Sequence, residues 1–384
     1  MFEQAIIDLN PTDSHYSVFD RSLRQPIWVS QDFADAIDFK EITSELKHLS
    51  CQKSSHWAKF ERRVGKLKED GEGIRVAVGP VFLPSERENG QRSLLYPVKG
   101  IEKVPVPTHY FGLIIKDGEK ECYLLPNTNL SKDKSLKKFK TTAEKVSKVS
   151  GTVFGDKTLD LKQTPNPQSY FEVKKKHFTI LVNGKTRQPS FAVHEIKTTK
   201  GKVKRKTFHK ENSPNLPDIF RVTDCEYKGT GFQRGHLTDV ESCIDSPTKM
   251  KESFSLANVC PMYPNCNKST WRRVEKYAIR KAKSQPESQP VRVISGPLFL
   301  PTVKKGKNRS VNRRLVGKKE LPLPSHFFKV IQPSEGTEAY LIPHNNEKFK
   351  GETDDFLKTC KIDLRKLEAQ SGIDFSLLLN QEIN

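Results

Sequence analysis

Gln233-Arg234-Gly235-His236, then Ser253-Phe254-Ser255-Leu256-Ala257-Asn258, then Asn267-x3-Trp271-x3-Glu275 set out residue types that together can cleave a phosphodiester. An imidazole with an ordinary pKa of about 6.5 can take a proton from water near neutrality. An amide oxygen can hold a hard cation. Arginine offers a planar fork that matches phosphate oxygens and stays charged. His236 is therefore the candidate general base, and Arg234 and Arg221 are the candidate phosphate clamps. Asn267, Trp271 and Glu275 recur every four residues, so a helix that starts at or before Asn267 would set all three on one face. Over eight residues such a face runs about 12 Å, too far for one ion with bonds of about 2.1 Å to be ligated directly at both ends. Asn267 is expected to hold the metal directly and Glu275 through a coordinated water. The plainer uses are a helix N-cap for Asn267, and a solvated residue or ion pair for Glu275.

With the approach Phe220-Arg221-x5-Tyr227-Lys228-Gly229-Thr230-Gly231-Phe232, these motifs resemble the signature of the DNA/RNA non-specific endonucleases of the ββα-metal type, the endonuclease G-like members above all. The resemblance implies an α+β fold, a mainly antiparallel sheet flanked by helices. It implies Mg²⁺- or Mn²⁺-dependent hydrolysis of DNA and/or RNA with little sequence preference, and so nucleic acid as partner. It also places His236 at the base position, an asparagine as the main metal ligand, an arginine on the phosphate, and Asn258 where an asparagine orients groups by hydrogen bonds. Three positions depart from the pattern: Gln233 stands where Asp is usual, Met262 where a glutamine commonly follows the proline, and Ile279 where an arginine is frequent, with Arg280 one place later. If the departures silence the chemistry, the alternative is a nucleic-acid-binding pseudonuclease.

Much of the chain is written twice, the mark of a tandem duplication. Arg24-Gln25-Pro26 recurs as Arg187-Gln188-Pro189, Trp57 and Glu61 answer Trp271 and Glu275, Val76–Pro84 matches Val293–Pro301, and Val106–Phe111 matches Leu323–Phe328. From Pro26 to Trp57 is 31 positions, but from Pro189 to Trp271 it is 82, and the block missing from the first copy holds the Arg-Gly-His motif and Asn258. Four residues before its tryptophan the first copy has Lys53, a cation that would repel a metal. The expected organisation is a degenerate domain over residues 1–155, a Pro-containing linker over 156–167 and a catalytic domain over 168–384. Because the endonuclease G-like relatives pair two identical domains, the first copy is expected to replace a second subunit and leave the chain a monomeric pseudo-dimer. Trp271, retained as Trp57, is assigned to packing, and His109 and His326 in the repeated Pro-x-His to structure.

The basic excess follows the intact motif. Residues 1–160 carry 25 Lys+Arg against 23 Asp+Glu, and residues 161–384 carry 41 against 23. A field of that sign suits a polyanion, since phosphate contacts dominate nucleic-acid affinity. Seven cysteines without a CxxC pair indicate neither a disulfide framework nor a zinc ribbon and fit reduced thiols inside a cell. No apolar run reaches the roughly 20 residues of a membrane span, and the acidic start Met1–Asp8 is unlike a secretory signal or a transit peptide. A cytoplasmic or nuclear location is expected, with mitochondrial left open, and Lys202–Lys206 is a candidate nuclear address. Strands are predicted at 74–78, 111–115, 291–294 and 327–331, and helices at 57–68, 136–149, 271–283 and 353–371. The polar segment 198–217 reads as an exposed loop or hairpin near the substrate, with mobility expected of such a segment.

Overall fold

Runs such as Val76-Ala77-Val78 and Val293-Ile294 are apolar on both faces, and strands of that kind need cover on both sides. The computed structural model describes residues 4, 7–11, 16–21, 25–33, 55–70, 74–86, 90–99, 104–128, 135–154, 169–197, 201–303 and 309–380. It supplies that cover by pairing two antiparallel sheets of the same topology. The first runs Ile7–Pro11, Tyr16–Asp20, Gln25–Phe33, Ile74–Val81, His109–Lys116, Glu119–Pro126, Lys140–Thr141, and the second Tyr170–Lys174, Phe178–Asn183, Gln188–Ile196, Val291–Leu298, His326–Gln332, Glu338–Pro343, Lys361–Ile362. Equivalent residues even share register: Gly79 faces Phe111 as Gly296 faces Phe328.

The sheets meet across one core, in which Ala77, Phe111 and Leu113 join Leu181, Phe191, Ile294 and Phe328. Each outer face is covered by a helix. Ser55–Glu69 packs Trp57, Phe60 and Val64 on the first sheet, and Arg272–Lys283 packs Val274 and Ala278 on the second. Residues 161–384 expressed alone would bare the inner face of the second sheet, and large exposed apolar patches drive association. That fragment is expected to aggregate or self-associate, which light scattering would reveal; a stable monomer would contradict a shared core.

Two arms tie the copies together. Strand Arg92–Lys99 pairs antiparallel with Arg309–Val316, with Ser310 opposite Pro97, Asn312 opposite Leu95 and Arg314 opposite Ser93. Under the repeat's offset of 217 residues, from Val76 to Val293, Leu95 and Asn312 are counterparts, and Ser93 and Pro97 correspond to Ser310 and Arg314. The same residues thus meet from both sides of a local two-fold, as in an isologous dimer contact, but within one chain.

Two of the helices predicted from sequence are broken. The first gives Leu136–Phe139, a strand Lys140–Thr141 and then Ala143–Ser150; the second gives Thr353–Cys360, a strand Lys361–Ile362 and then Leu364–Ser371. Apolar residues keep three- and four-residue spacing across each break, which hid it. The interruption is set by N-caps, where Thr142 Oγ1 accepts from Lys145 N at 3.1 Å and Asp363 Oδ1 from Lys366 N at 3.1 Å. The expected linker, Arg24, Lys53 and residues 198–200 lie outside the described residues. The six described cysteines are free thiols. No described helix is long and apolar enough to cross a membrane.

Candidate active site

The block present only in the second copy folds as two short strands and a helix. Gln233–His236 pairs antiparallel with Val259–Met262, Gly235 opposite Cys260. Gly235 is required by that closeness, because a Cβ there would lie 2.5 Å from the Met262 methyl. Met262, read as a departure from the family pattern, is thus a wall of the hairpin. The chain then winds through a π-helix, Cys266–Trp271, into the α-helix Arg272–Lys283. The expectation of Asn267, Trp271 and Glu275 on one uninterrupted α-helical face is corrected here, since the wider π turn rotates Asn267 out of that line; such turns gather at functional sites.

The indole Nε1 of Trp271 donates to the His236 carbonyl at 3.0 Å, so this buried residue packs on Phe327 and also pins the strand that carries the imidazole. Asn267 Nδ2 donates to Gln233 Oε1 at 2.9 Å. Gln233 thereby does a job an aspartate would do, accepting from the asparagine amide. Asn258, wholly buried, accepts from Thr238 N at 3.1 Å and donates to Ser253 O at 2.8 Å, which ties the turn after His236 to the segment before the second strand. Asn258→Ala would leave two buried backbone groups unpaired, and the unfolding free energy is expected to fall by about 1–3 kcal/mol, read as a lower urea midpoint.

The His236 imidazole lies in an aromatic slot, stacked on Phe208 at 5.0 Å and edge-on to Phe254 at 4.8 Å. Its Nε2 is buried without a partner, whereas Nδ1 is not sealed off. Burial first, then the charges of Arg205 and Arg234, pushes the imidazole down to about 3. Arg234 lies over the same Phe208 ring at 4.7 Å and donates to Asp224 Oδ1 at 2.5 Å. Arg221 is held elsewhere, by Asp218 and by the Ser213 carbonyl, each at 2.8 Å. It could face a phosphate only by leaving both.

Behind the helix sits a buried polar pocket. Lys329 donates to Ser295 Oγ at 2.7 Å and lies 4.5 Å over the Trp271 ring. Burial raises Glu275, helped by the charge of Asp239, and raises Asp239, helped by the charge of Glu241, while burial lowers Lys329 against the pull of Glu275 and Asp239. At the equivalent positions the first copy has Val78 for Ser295 and Gly112 for Lys329, and the Phe60 ring fills the space, 2.5 Å from where a Gly112 Cβ would stand. His109 and His326 make one local contact in both copies, Nδ1 to the preceding Thr108 or Ser325 hydroxyl at 3.1 Å.

The segment 201–217 is not a free loop. Val203 N donates to Ile244 O at 3.1 Å, His209 N to Phe254 O at 3.2 Å and Leu256 N to His209 O at 2.9 Å. This lays Phe208 on His236 and brings Arg205 close enough to repel its proton. Sequence reasoning passed over Phe208, Asp239 and Lys329, and read Arg205 only as part of the basic run Lys202–Lys206. The signals were a lone aromatic in a charged run, and a cation inside the apolar strand Phe327–Ile331.

The family model of the DNA/RNA non-specific endonucleases matches residues 24–161 and again residues 155–382. Nuclease EXOG, mitochondrial, of Xenopus laevis is 32% identical over 205 residues, covering 51% of this chain and 55% of its own length. Human mitochondrial endonuclease G is 38% identical over 111 residues, covering 29% of this chain and 36% of its own length. The chain thus spans about half or less of the length of these relatives. A crystal structure of an EndoG/EndoGI complex aligns with a TM-score of 0.48 and 20% identity, over 53% of this chain and 84% of that one.

Proposed function

Because the chain belongs to the DNA/RNA non-specific endonuclease family, we propose that residues 168–384 hydrolyse phosphodiester bonds of DNA and/or RNA with little sequence preference, with His236 as general base. The observation that carries this reading is one strand-strand-helix unit with an unprotonated imidazole at one end and an oriented carboxamide at the other. Among the described residues no group of three or more His, Cys, Asp or Glu is arranged to hold a metal. The residues fit instead an ion that keeps most of its waters, as Mg²⁺ does. Asn267 has its Nδ2 committed to Gln233 and so presents its oxygen as a ligand, and Glu275 would join through a bound water. When bound, Mg²⁺ or Mn²⁺ supplies positive charge to the leaving oxygen.

In this reading the chain's own groups act in turn. Arg234 holds the scissile phosphate, its guanidinium set by Asp224 and Phe208; Arg221 is the second candidate clamp. Nδ1 of His236 takes the proton of the attacking water. Asn258 keeps the turn after His236 in place. Phe208, Phe254 and the Trp271 bond fix the imidazole plane, and positioning of this kind is a large part of such catalysis.

Supercoiled plasmid incubated with the full chain and Mg²⁺ is expected to become nicked and then fragmented, and a chelator should stop it. Retention of intact plasmid in a gel shift, without cleavage, would instead establish the nucleic-acid-binding pseudonuclease. Circular and linear, DNA and RNA substrates in the same assay separate end-requiring from internal cutting.

The degenerate first copy over 1–155 is supported by the loss of the Lys329 pocket to Phe60. Its role as a built-in second subunit is supported by the two-fold pairing of the arms. Light scattering should then give the mass of one chain, 43.8 kDa; a tight dimer would contradict it. The relatives' names carry a mitochondrial location, which we extend to this chain as one candidate beside cytoplasm and nucleus. Arg205 bordering His236 gives the basic run Lys202–Lys206 a use on substrate in place of a nuclear address.

A further inference from the structure

Where the paired arms meet the two sheets lies a cavity of about 170 Å³, and none of its lining residues belongs to the site around His236. Its walls are mostly apolar, with Phe82, Leu94 and Tyr96 from the first copy and Leu298, Phe299 and Leu300 from the second. Four basic residues, Lys148, Lys185, Arg187 and Arg313, line it, and two of them, Lys185 and Arg313, have no ion-pair partner among the described residues to answer their charge. Lys185, in the turn between Phe178–Asn183 and Gln188–Ile196, makes no ion pair or side-chain hydrogen bond among the described residues; its Nζ lies 4.0 Å over the Phe82 ring. Arg313 lies 4.3 Å over Phe299 and 5.6 Å over Tyr96, donates Nη2 to the Phe299 carbonyl at 3.3 Å, and keeps a buried Nε with no partner. The lining acid, Glu320, is already engaged by Arg92. Arg187 is engaged too, donating to the Lys319 and Lys148 carbonyls at 2.9 and 2.8 Å.

Taking a cation out of water is costly unless an opposite charge meets it. Burial holds Lys185 down at about 7, with Asp20 pulling it up and Arg313 pushing it further down. The arrangement also has no twin. Arg313 stands where the first copy has Tyr96, and Lys185, two before the Arg-Gln-Pro motif, where it has Ser22 in sequence. Lys185 and Arg313 therefore come together in this cavity because the copies diverged.

We propose that this cavity binds a small anion on a flat apolar body, its oxyanion held by Lys185 and Arg313 and its ring set against Phe82, Tyr96 and Phe299. An apolar cavity of about 150 Å³ accepts benzene, so the size suits a single ring bearing a phosphate or a carboxylate. Arginine binds either oxyanion through paired N–H groups.

The test uses the full chain, with phenyl phosphate and benzoate as probes and inorganic phosphate and phenol as controls, read by thermal shift and titration calorimetry. At least one ring-bearing anion is expected to bind saturably and raise the melting temperature, more than inorganic phosphate and far more than phenol; which of the two wins assigns the oxyanion. Lys185→Met and Arg313→Met should each weaken that binding at least tenfold. His236→Ala should bind like the unaltered chain, so the outcome here is independent of the nuclease reading. Absence of saturable binding, equal stabilisation by phenol, or full binding retained in both methionine variants would overturn the proposal. Lys185→Met removes an unpaired charge and so guards against mistaking misfolding for lost recognition.

Discussion

His236→Ala is expected to lower the rate of phosphodiester cleavage by about 10²–10⁴-fold, the usual worth of a general base, while leaving nucleic-acid binding and the fold in place. The fold should survive because the contact that secures this strand runs from the Trp271 indole to the His236 backbone carbonyl, not to the ring. Cleavage and gel-shift assays on the same preparation separate the two effects; undiminished cleavage would remove His236 from the mechanism. The pH behaviour follows from the burial. A base must arrive unprotonated, and an imidazole held down at about 3 is neutral throughout the physiological range. In the metal-free chain, an NMR titration should show no inflection of His236 between pH 5 and pH 8. An inflection near 6.5, its ordinary value, would mean that Phe208 does not cover the ring in solution.

Asn267→Ala is the second large effect. In the proposed reading it removes the amide oxygen that would hold the ion, and the cost should exceed the 10–100-fold typical for losing an outer partner of a metal ligand. Gln233→Leu tests that outer partner itself. Without the acceptor for Nδ2 the amide is free to turn, and the Mg²⁺ concentration for half-maximal cleavage is expected to rise about 10–100-fold with little change at saturating metal. A Gln233→Leu chain with unaltered metal dependence would show that the hydrogen bond at 2.9 Å does not orient the ligand.

How far the chain could be read beforehand depended on whether the signal was local. The two copies, the strands ending at Gly79-Pro80 and Gly296-Pro297 and the tryptophan-bearing helices were legible because β-branched runs and turn residues act over a few positions. The breaks at Lys140-Thr141 and Lys361-Ile362 were not, because helical spacing of apolar residues continued across them while capping side chains decided the outcome. At the site, the residue types of His236, Arg234, Asn258 and Asn267 were legible, but their partners were long-range. Nothing near Phe208 in sequence announces His236, and its contact depends on backbone bonds to Ile244 and Phe254. Nor does sequence spacing reveal that Arg221 is bound to Asp218, or that the π turn displaces Asn267. The buried lysine was the missed clue, since Lys329 inside Phe327–Ile331 demands partners of opposite charge, and Glu275 and Asp239 are those partners.

One measurement tests most directly whether this imidazole and this carboxamide serve a single hydrated ion: anomalous scattering from a crystal of the full chain soaked in Mn²⁺. The account predicts one strong peak at bonding distance from Asn267 Oδ1, with a metal-bound water within hydrogen-bond reach of His236 Nδ1. A peak on other residues, or an ion at Asn267 with no water path to the imidazole, would contradict it.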